Sequence, residues 1–132
     1  MPRLMLDSDI CIDVMRERSP AIRSRLERTN REEVAVSSIV AAELWTGVSM
    51  SAQSERSRAA LRAFLAYVMV LDWPDEAAPI YGEIRARLEK LGKSIGALDL
   101  LIAAHAIHEK ATLVTRNLSE FRRVSGLHVE SW

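Results

Sequence analysis

Apolar residues fall along the chain in short continuous runs that alternate with stretches of helical spacing. "RLML" at 3–6 predicts a short buried strand, after which Asp9 can cap a helix from about Ile10 to Arg16. Pro20 suits the first turn of a second helix that runs to about Arg28. "EVAVSS" at 33–38 reads as a second strand ending in hydroxyls. "IVAAELWTGV" follows as a helix, with Val40, Leu44 and Val48 on one stripe. "AQSERSRAALRAFLAYV" predicts a longer amphipathic helix with Leu61, Leu65 and Val68 along one face. "VMVLDW" at 68–73 is a third strand, stopped by Pro74. Ile80, Ile84, Leu88 and Leu91 then keep helical spacing up to Gly92, a C-terminal stop. "ALDLLIAAHAIHEK" is apolar on nearly every side from Leu98 to Ile107, which predicts a helix buried in the middle of the fold. "ATLVTRN" supplies a fourth strand and "LHVES" a fifth.

Short apolar strands alternating with helices require a parallel sheet covered on both faces. Ligands of such sheets sit beyond the carboxyl ends of the strands. Three of the strands end in polar or acidic residues: Asp7, then Ser37 and Ser38, then Thr115 to Asn117. Glu43 and Asp99 fall in the first turn or two of helices that begin at the same edge.

A length of 132 residues suits one domain, residues 1–132, able to bury about two thirds of its unfolded surface. No apolar run approaches a membrane span, and "MPRLMLDSD" lacks a basic-then-apolar signal pattern, so a cytoplasmic protein is expected. The single Cys11 excludes an intramolecular disulfide and a cysteine-cluster metal site. Net charge is zero, yet only Lys90, Lys93 and Lys110 among the 18 basic residues are not Arg. Arg16, Arg18, Arg23, Arg25, Arg28 and Arg31 cluster in "MRERSPAIRSRLERTNR". Arg forks favour phosphate, but interleaved Glu17 and Glu27 make a solvated helix face the simpler reading.

The acids carry the chemistry. "LDSD" admits a nucleophile with its acid partner, one corner of a metal site, or a helix cap. Asp7 stands where a carboxylate is costly unless solvated, capped or metal-bound, whereas capping alone accounts for Asp9. Glu43 lies among Ala41, Ala42, Leu44 and Trp45, though the stripe through Val40, Leu44 and Val48 leaves it room on an exposed face. Asp99 sits between Leu98 and Leu100; a helix dipole favours it there without explaining the apolar helix around it. Asn117 and Glu120 match a reciprocal capping box. His105 and His108 read as packed histidines, and Trp45, Trp73 and Trp132 as core or interface aromatics. Carboxylates converging on one edge raise each other's pKa unless a cation neutralises them. Oxygen-only ligands suit Mg²⁺ or Mn²⁺, which activate water for hydrolysis of a phosphate ester.

Four segments, "LMLDSDICI", "SSIVAAELWTGV", "GKSIGALDLLIAAHA" and "LVTRNLSEFRRVSGLHVESW", resemble in order and spacing the VapC-type toxins. These are PIN-domain ribonucleases of bacterial toxin–antitoxin pairs, and the resemblance covers essentially the whole chain. It implies a three-layer α/β/α domain with a central, mostly parallel sheet of four to five strands. It also implies a Mg²⁺- or Mn²⁺-dependent endoribonuclease that cuts RNA, often tRNA in the anticodon stem-loop, and so inhibits translation. The expected partners are a second copy in a homodimer and an antitoxin whose C-terminal segment covers the active groove, in a hetero-oligomer. By position, Asp7 corresponds to the first acid and a metal ligand, Glu43 to the second (ligating directly or through water), and Asp99 to the third. Asn117 stands where many members have Asp, which leaves Glu120 either to supply the fourth charge or to close the capping box. Ser8, Asp9 and Thr115 fall at supporting positions.

Two other classes share features of this pattern. Haloacid-dehalogenase-type phosphatases carry D-x-D after their first strand, with Asp7 as nucleophile and Asp9 as acid, but need a later Lys and paired acids that "TRNLSE" lacks. A receiver-like domain would need Asp72 as its phosphorylated residue, and Trp73-Pro74 follows it awkwardly. A catalytically inactive PIN-like module that binds RNA or protein is a third alternative, opposed by the intact Asp7, Glu43 and Asp99.

Overall fold

The computed structural model describes residues 2–132. Five short strands form one wholly parallel sheet in the order β3-β2-β1-β4-β5. They are β1 (Leu4–Leu6), β2 (Val34–Ser37), β3 (Met69–Leu71), β4 (Thr112–Val114) and β5 (His128–Glu130). Seven α-helices cover the sheet: α1 (Ser8–Met15), α2 (Pro20–Arg28), α3 (Ser38–Ser49), α4 (Ser54–Tyr67), α5 (Ala77–Lys90), α6 (Ala97–Glu109) and α7 (Leu118–Phe121). The chain leaves central β1, winds outward through β2 and β3, and returns to the other side of β1 as β4. That reversal puts the topological switch point between β1 and β4, the place where open parallel sheets form their ligand crevice.

The pattern of burial follows the sheet order. Leu4, Met5 and Leu6 of β1, Val34, Ala35 and Val36 of β2, and Leu113 and Val114 of β4 are buried. Strand β3 lies at an edge, so Met69 and Val70 are each 40% exposed. All five expected strands form. The three-layer arrangement is the one expected, and Leu100, Ile102, Ala103, Ala104, His105 and Ala106 bury α6 as its apolar sequence requires. Leu98 and Leu91 depart from their assigned apolar faces: both are solvent-exposed, one in the first turn of α6 and the other just beyond α5. Gly92, at φ +66°, ends the α5 segment as expected. Among the described residues no helix is long and apolar enough to cross a membrane.

The start of α1 corrects one expectation. The helix begins at Ser8, and Asp7 is its N-cap, its Oδ1 accepting the Ser8 N–H at 2.8 Å. Asp9 therefore lies inside the first turn. The cap falls two residues early because β1 ends at Leu6 and the backbone turns at once.

Candidate active site at the switch point

Leu6 and Val114 pair across β1 and β4, so the residues that follow them, Asp7 and Thr115, emerge side by side. The Asp7 N–H donates to the Val114 carbonyl at 2.9 Å. Asp7 is 6% exposed; its Oδ2 accepts the fully buried Thr115 hydroxyl at 2.8 Å. Thr115 Oγ1 in turn accepts the Asn117 N–H at 3.0 Å. Burial raises the Asp7 pKa, the nearby Asp9 and Glu120 charges add to the rise, and the Thr115 and Ser8 bonds oppose it. Each Asp7 oxygen keeps a lone pair for a further partner.

Ser8 contributes its backbone N–H, and Asp9 ties α1 to the loop after β4. Asp9 Oδ1 accepts from Ile10 N–H at 2.7 Å, and Oδ2 from Arg116 N–H at 3.0 Å. With both oxygens held by backbone donors, Asp9 is a brace for the loop that carries Thr115 and Asn117.

Glu43 reaches the site from α3, whose N-cap Ser37 ends β2. Its Oε1 is buried without a hydrogen-bond partner, so the exposed-face alternative for Glu43 does not hold. Burial raises its pKa, and the Asp7 charge adds to the rise. Ser37 Oγ, which caps α3 through Ile39 N–H at 3.1 Å, lies 2.8 Å from Nδ1 of buried His105 on α6. The helices bearing Glu43 and Asp99 are thereby fastened to each other. His105 is a packed histidine as expected, and its ring does not enter the cleft.

Asp99, in the first turn of α6, is pushed up to about 7. Burial is the largest cause, followed by a hydrogen bond with Glu120 and the charges of Glu120, Asp7 and Glu43. Glu120 moves the other way, lowered chiefly by the Asn117 side chain, whose Nδ2 donates to Oε2 at 2.7 Å. The proton of this coupled pair therefore belongs to Asp99. Glu120 Oε1 also accepts the Gly96 N–H at 3.4 Å, from the residue that precedes α6. The reciprocal capping box does not form: Asn117 makes no side-chain cap, and its own N–H goes to Thr115. Glu120 faces the acids instead.

The sequence reading passed over Asp13 and Arg116. Asp13 is 2% exposed, one helical turn beyond Asp9, and Arg116 Nη1 lies 3.1 Å from its Oδ2. A carboxylate among Ile10, Cys11, Ile12 and Val14 is the same signal that marked Glu43 and Asp99. Buried Cys11, its thiol pushed well up by burial, serves packing.

Asp7, Glu43, Asp99 and Glu120 thus meet at the carboxyl edge of the sheet, close enough for their charges to act on one another. Among the described residues, no three His, Cys, Asp or Glu side chains stand close enough to enclose an ion unaided. The donor set is all oxygen, the unpartnered Glu43 Oε1 is buried, and the Asp7, Glu43 and Asp99 pKa values are raised, by burial first and by neighbouring carboxylates after it. That combination fits a hard divalent cation that keeps part of its water shell.

The PIN domain family matches residues 4–127. Ribonuclease VapC2 of Rickettsia felis is 42% identical over 129 residues, covering 97% of this chain and 96% of its own length. The tRNA(fMet)-specific endonuclease VapC of Shigella flexneri is 36% identical over 132 residues, covering 100% of this chain and 99% of its own. The crystal structure of DNA-bound VapBC from Salmonella typhimurium superposes with a TM-score of 0.94 at 36% identity, over 100% of this chain and 99% of that one. With this fold, this cleft and relatives of this closeness, the chain belongs to the PIN-domain family and, within it, to the VapC ribonucleases.

Proposed function

We propose that this chain, as a single PIN domain over residues 1–132, is a divalent-metal-dependent endoribonuclease and the toxin of a cytoplasmic toxin–antitoxin pair. The observation that carries the reading is the meeting of four carboxylates from four elements at the β1–β4 switch point, with Asp99 pushed up to about 7. In this reading Asp7 and Asp99 hold Mg²⁺ or Mn²⁺, and Glu43 joins them directly or through water. The cation, when bound, lowers the pKa of a coordinated water and screens a phosphodiester oxygen. Glu120 stays an ionised carboxylate beside Asp99, held by the Asn117 side chain and the Gly96 N–H. Thr115 and the Ser8 N–H orient Asp7, while Asp9 fixes the loop after β4. Asp7 is a ligand in this scheme and never attacks phosphorus. The D-x-D phosphatase alternative is not favoured, because both oxygens of Asp9 are occupied by backbone donors.

tRNA, cut in the anticodon stem-loop so that translation stops, is the substrate we infer; the Shigella relative's name supports that class. An antitoxin segment lying over the cleft is supported by the VapBC complex and by an apolar recess of about 130 Å³ between α1, α3 and α4 that opens beside Glu43. A homodimer within a toxin–antitoxin hetero-oligomer completes the proposed assembly. Sequencing of cleaved RNA ends after brief expression without the antitoxin tests class and substrate together. Growth arrest with ends concentrated at one tRNA position is expected. Unimpaired growth and intact RNA, with the protein soluble and folded, would contradict it.

A further inference from the structure

We propose that Arg116 receives an RNA phosphate at the rim of the acidic cleft, and that Asp13 positions it there; this inference rests on the nuclease reading above. Arg116 follows Thr115 directly, so its backbone is fixed beside the reacting edge through the bond from its N–H to Asp9. Its guanidinium approaches Asp13 Oδ2 at 3.1 Å through Nη1 and Asp9 Oδ2 at 4.0 Å through Nε. The arginine side chain is 53% exposed and that of Asp13 only 3%. The guanidinium is therefore gripped from beneath and open above, with Nη2 making no hydrogen bond to a described residue.

Other arginines are occupied differently. Arg23 is spent on Glu17 and Glu27, Arg25 on Glu130 and the Trp132 ring, and Arg31 on the carbonyls of Ala66 and Tyr67 at the end of α4. These contacts brace helices and the C-terminal segment away from the acids. Arg116 alone among these four is anchored by a buried acid next to the cleft.

Asp13 is costly where it lies. It occupies a buried face of α1 with Ile10, Cys11 and Val14, and its Oδ1 has no partner. An apolar residue would fill that position without desolvating a charge, and buried ion pairs are poor sources of stability. What the pair does provide is a planar cation held in one orientation at a half-open surface. A guanidinium with free N–H groups matches two phosphate oxygens at once. The cleft also needs it: four carboxylates repel a polyanion, and a fixed cation at their edge offsets that repulsion for the strand being cut.

The test compares wild type, R116A, R116K, D13N and the D13N/R116A double variant. The readouts are KM and kcat for total tRNA with Mn²⁺, their salt dependence, and thermal stability, with D99N as the inactive control. R116A should raise KM about tenfold with kcat changed by less than about twofold, and lower the salt slope of log(1/KM) by about one. R116K should recover part of the loss, and D13N should raise KM by a smaller factor. R116A leaves a buried unpaired carboxylate, so its stability will fall; the double variant should recover stability but not KM. A stable double variant with wild-type KM and salt slope would overturn the proposal and reduce Arg116 to a counter-ion for Asp13. Failure of the wild type itself to cut RNA would overturn the nuclease reading and this inference together.

Discussion

Thr115 Oγ1 donates to Asp7 Oδ2 at 2.8 Å, joining the carboxyl end of β4 to that of β1 across 108 residues of sequence. The same oxygen accepts the Asn117 N–H, so one hydroxyl fixes the first acid and the loop that leads to the fourth. Replacing it with Val would leave a buried carboxylate oxygen and a backbone N–H unpaired, at about 1–3 kcal/mol each. T115V should accordingly lower both melting temperature and cleavage rate, and T115S should restore both. Full activity in T115V would remove Thr115 from the site.

Glu120 separates two roles. Because Asn117 does not cap α7 through its side chain, E120Q should leave thermal stability nearly unchanged and sharply reduce RNA cleavage. A stability loss with cleavage intact would restore the capping role that the N-x-x-E pattern suggests.

The crowding of Asp7, Glu43, Asp99 and Glu120 makes a prediction about metal that does not depend on catalysis. Mn²⁺ or Mg²⁺ at about 100 times its Kd should stabilise the wild type by about 2.7 kcal/mol. D99N relieves repulsion in the metal-free protein, so it should melt at or above the wild-type temperature without metal and gain little when metal is added. Calorimetry with and without Mn²⁺ measures both, and an equal metal-induced rise in D99N would exclude Asp99 as a ligand.

His105 gives a pH dependence of known sign. Burial holds its pKa at about 4 against an ordinary 6.5. The neutral ring is the folded form, so its contribution is complete above pH 6.5 and is lost as pH falls toward 4. The maximum effect is roughly 3 kcal/mol. Urea unfolding at pH 7.5 and 4.5 should show a larger drop for wild type than for H105Q. Equal drops would mean that His105 is not buried in its neutral form.

How much of this was legible beforehand depends on whether a residue acts along its own segment or across the sheet. Strands β1, β2 and β4 announce themselves as apolar runs, and the polar residues that end them point to the edge where the site lies. Asp99 stood out because an acid interrupts an otherwise apolar helix. Pairings between distant segments were not legible. Nothing near Asn117 says that its N–H would go to Thr115 and its side chain to Glu120, so a local capping box was the natural expectation. Asp9 looked like a cap because the turn after Leu6 is tighter than a three-residue strand suggests. Asp13 carried the same signal as Glu43, yet its partner Arg116 lies 103 residues away, and only the β1–β4 pairing brings the two together.

The central claim is that Asp7 and Asp99 hold the cation that makes this cleft a ribonuclease site. Its most direct measurement is cleavage of tRNA by purified wild type, D7N, D99N and the double variant, with Mn²⁺ and with EDTA, after melting curves show that each is folded. The account predicts cutting by the wild type with Mn²⁺ alone, abolished by EDTA and by either substitution. Undiminished cutting by the folded double variant, or by the wild type in EDTA, would contradict it.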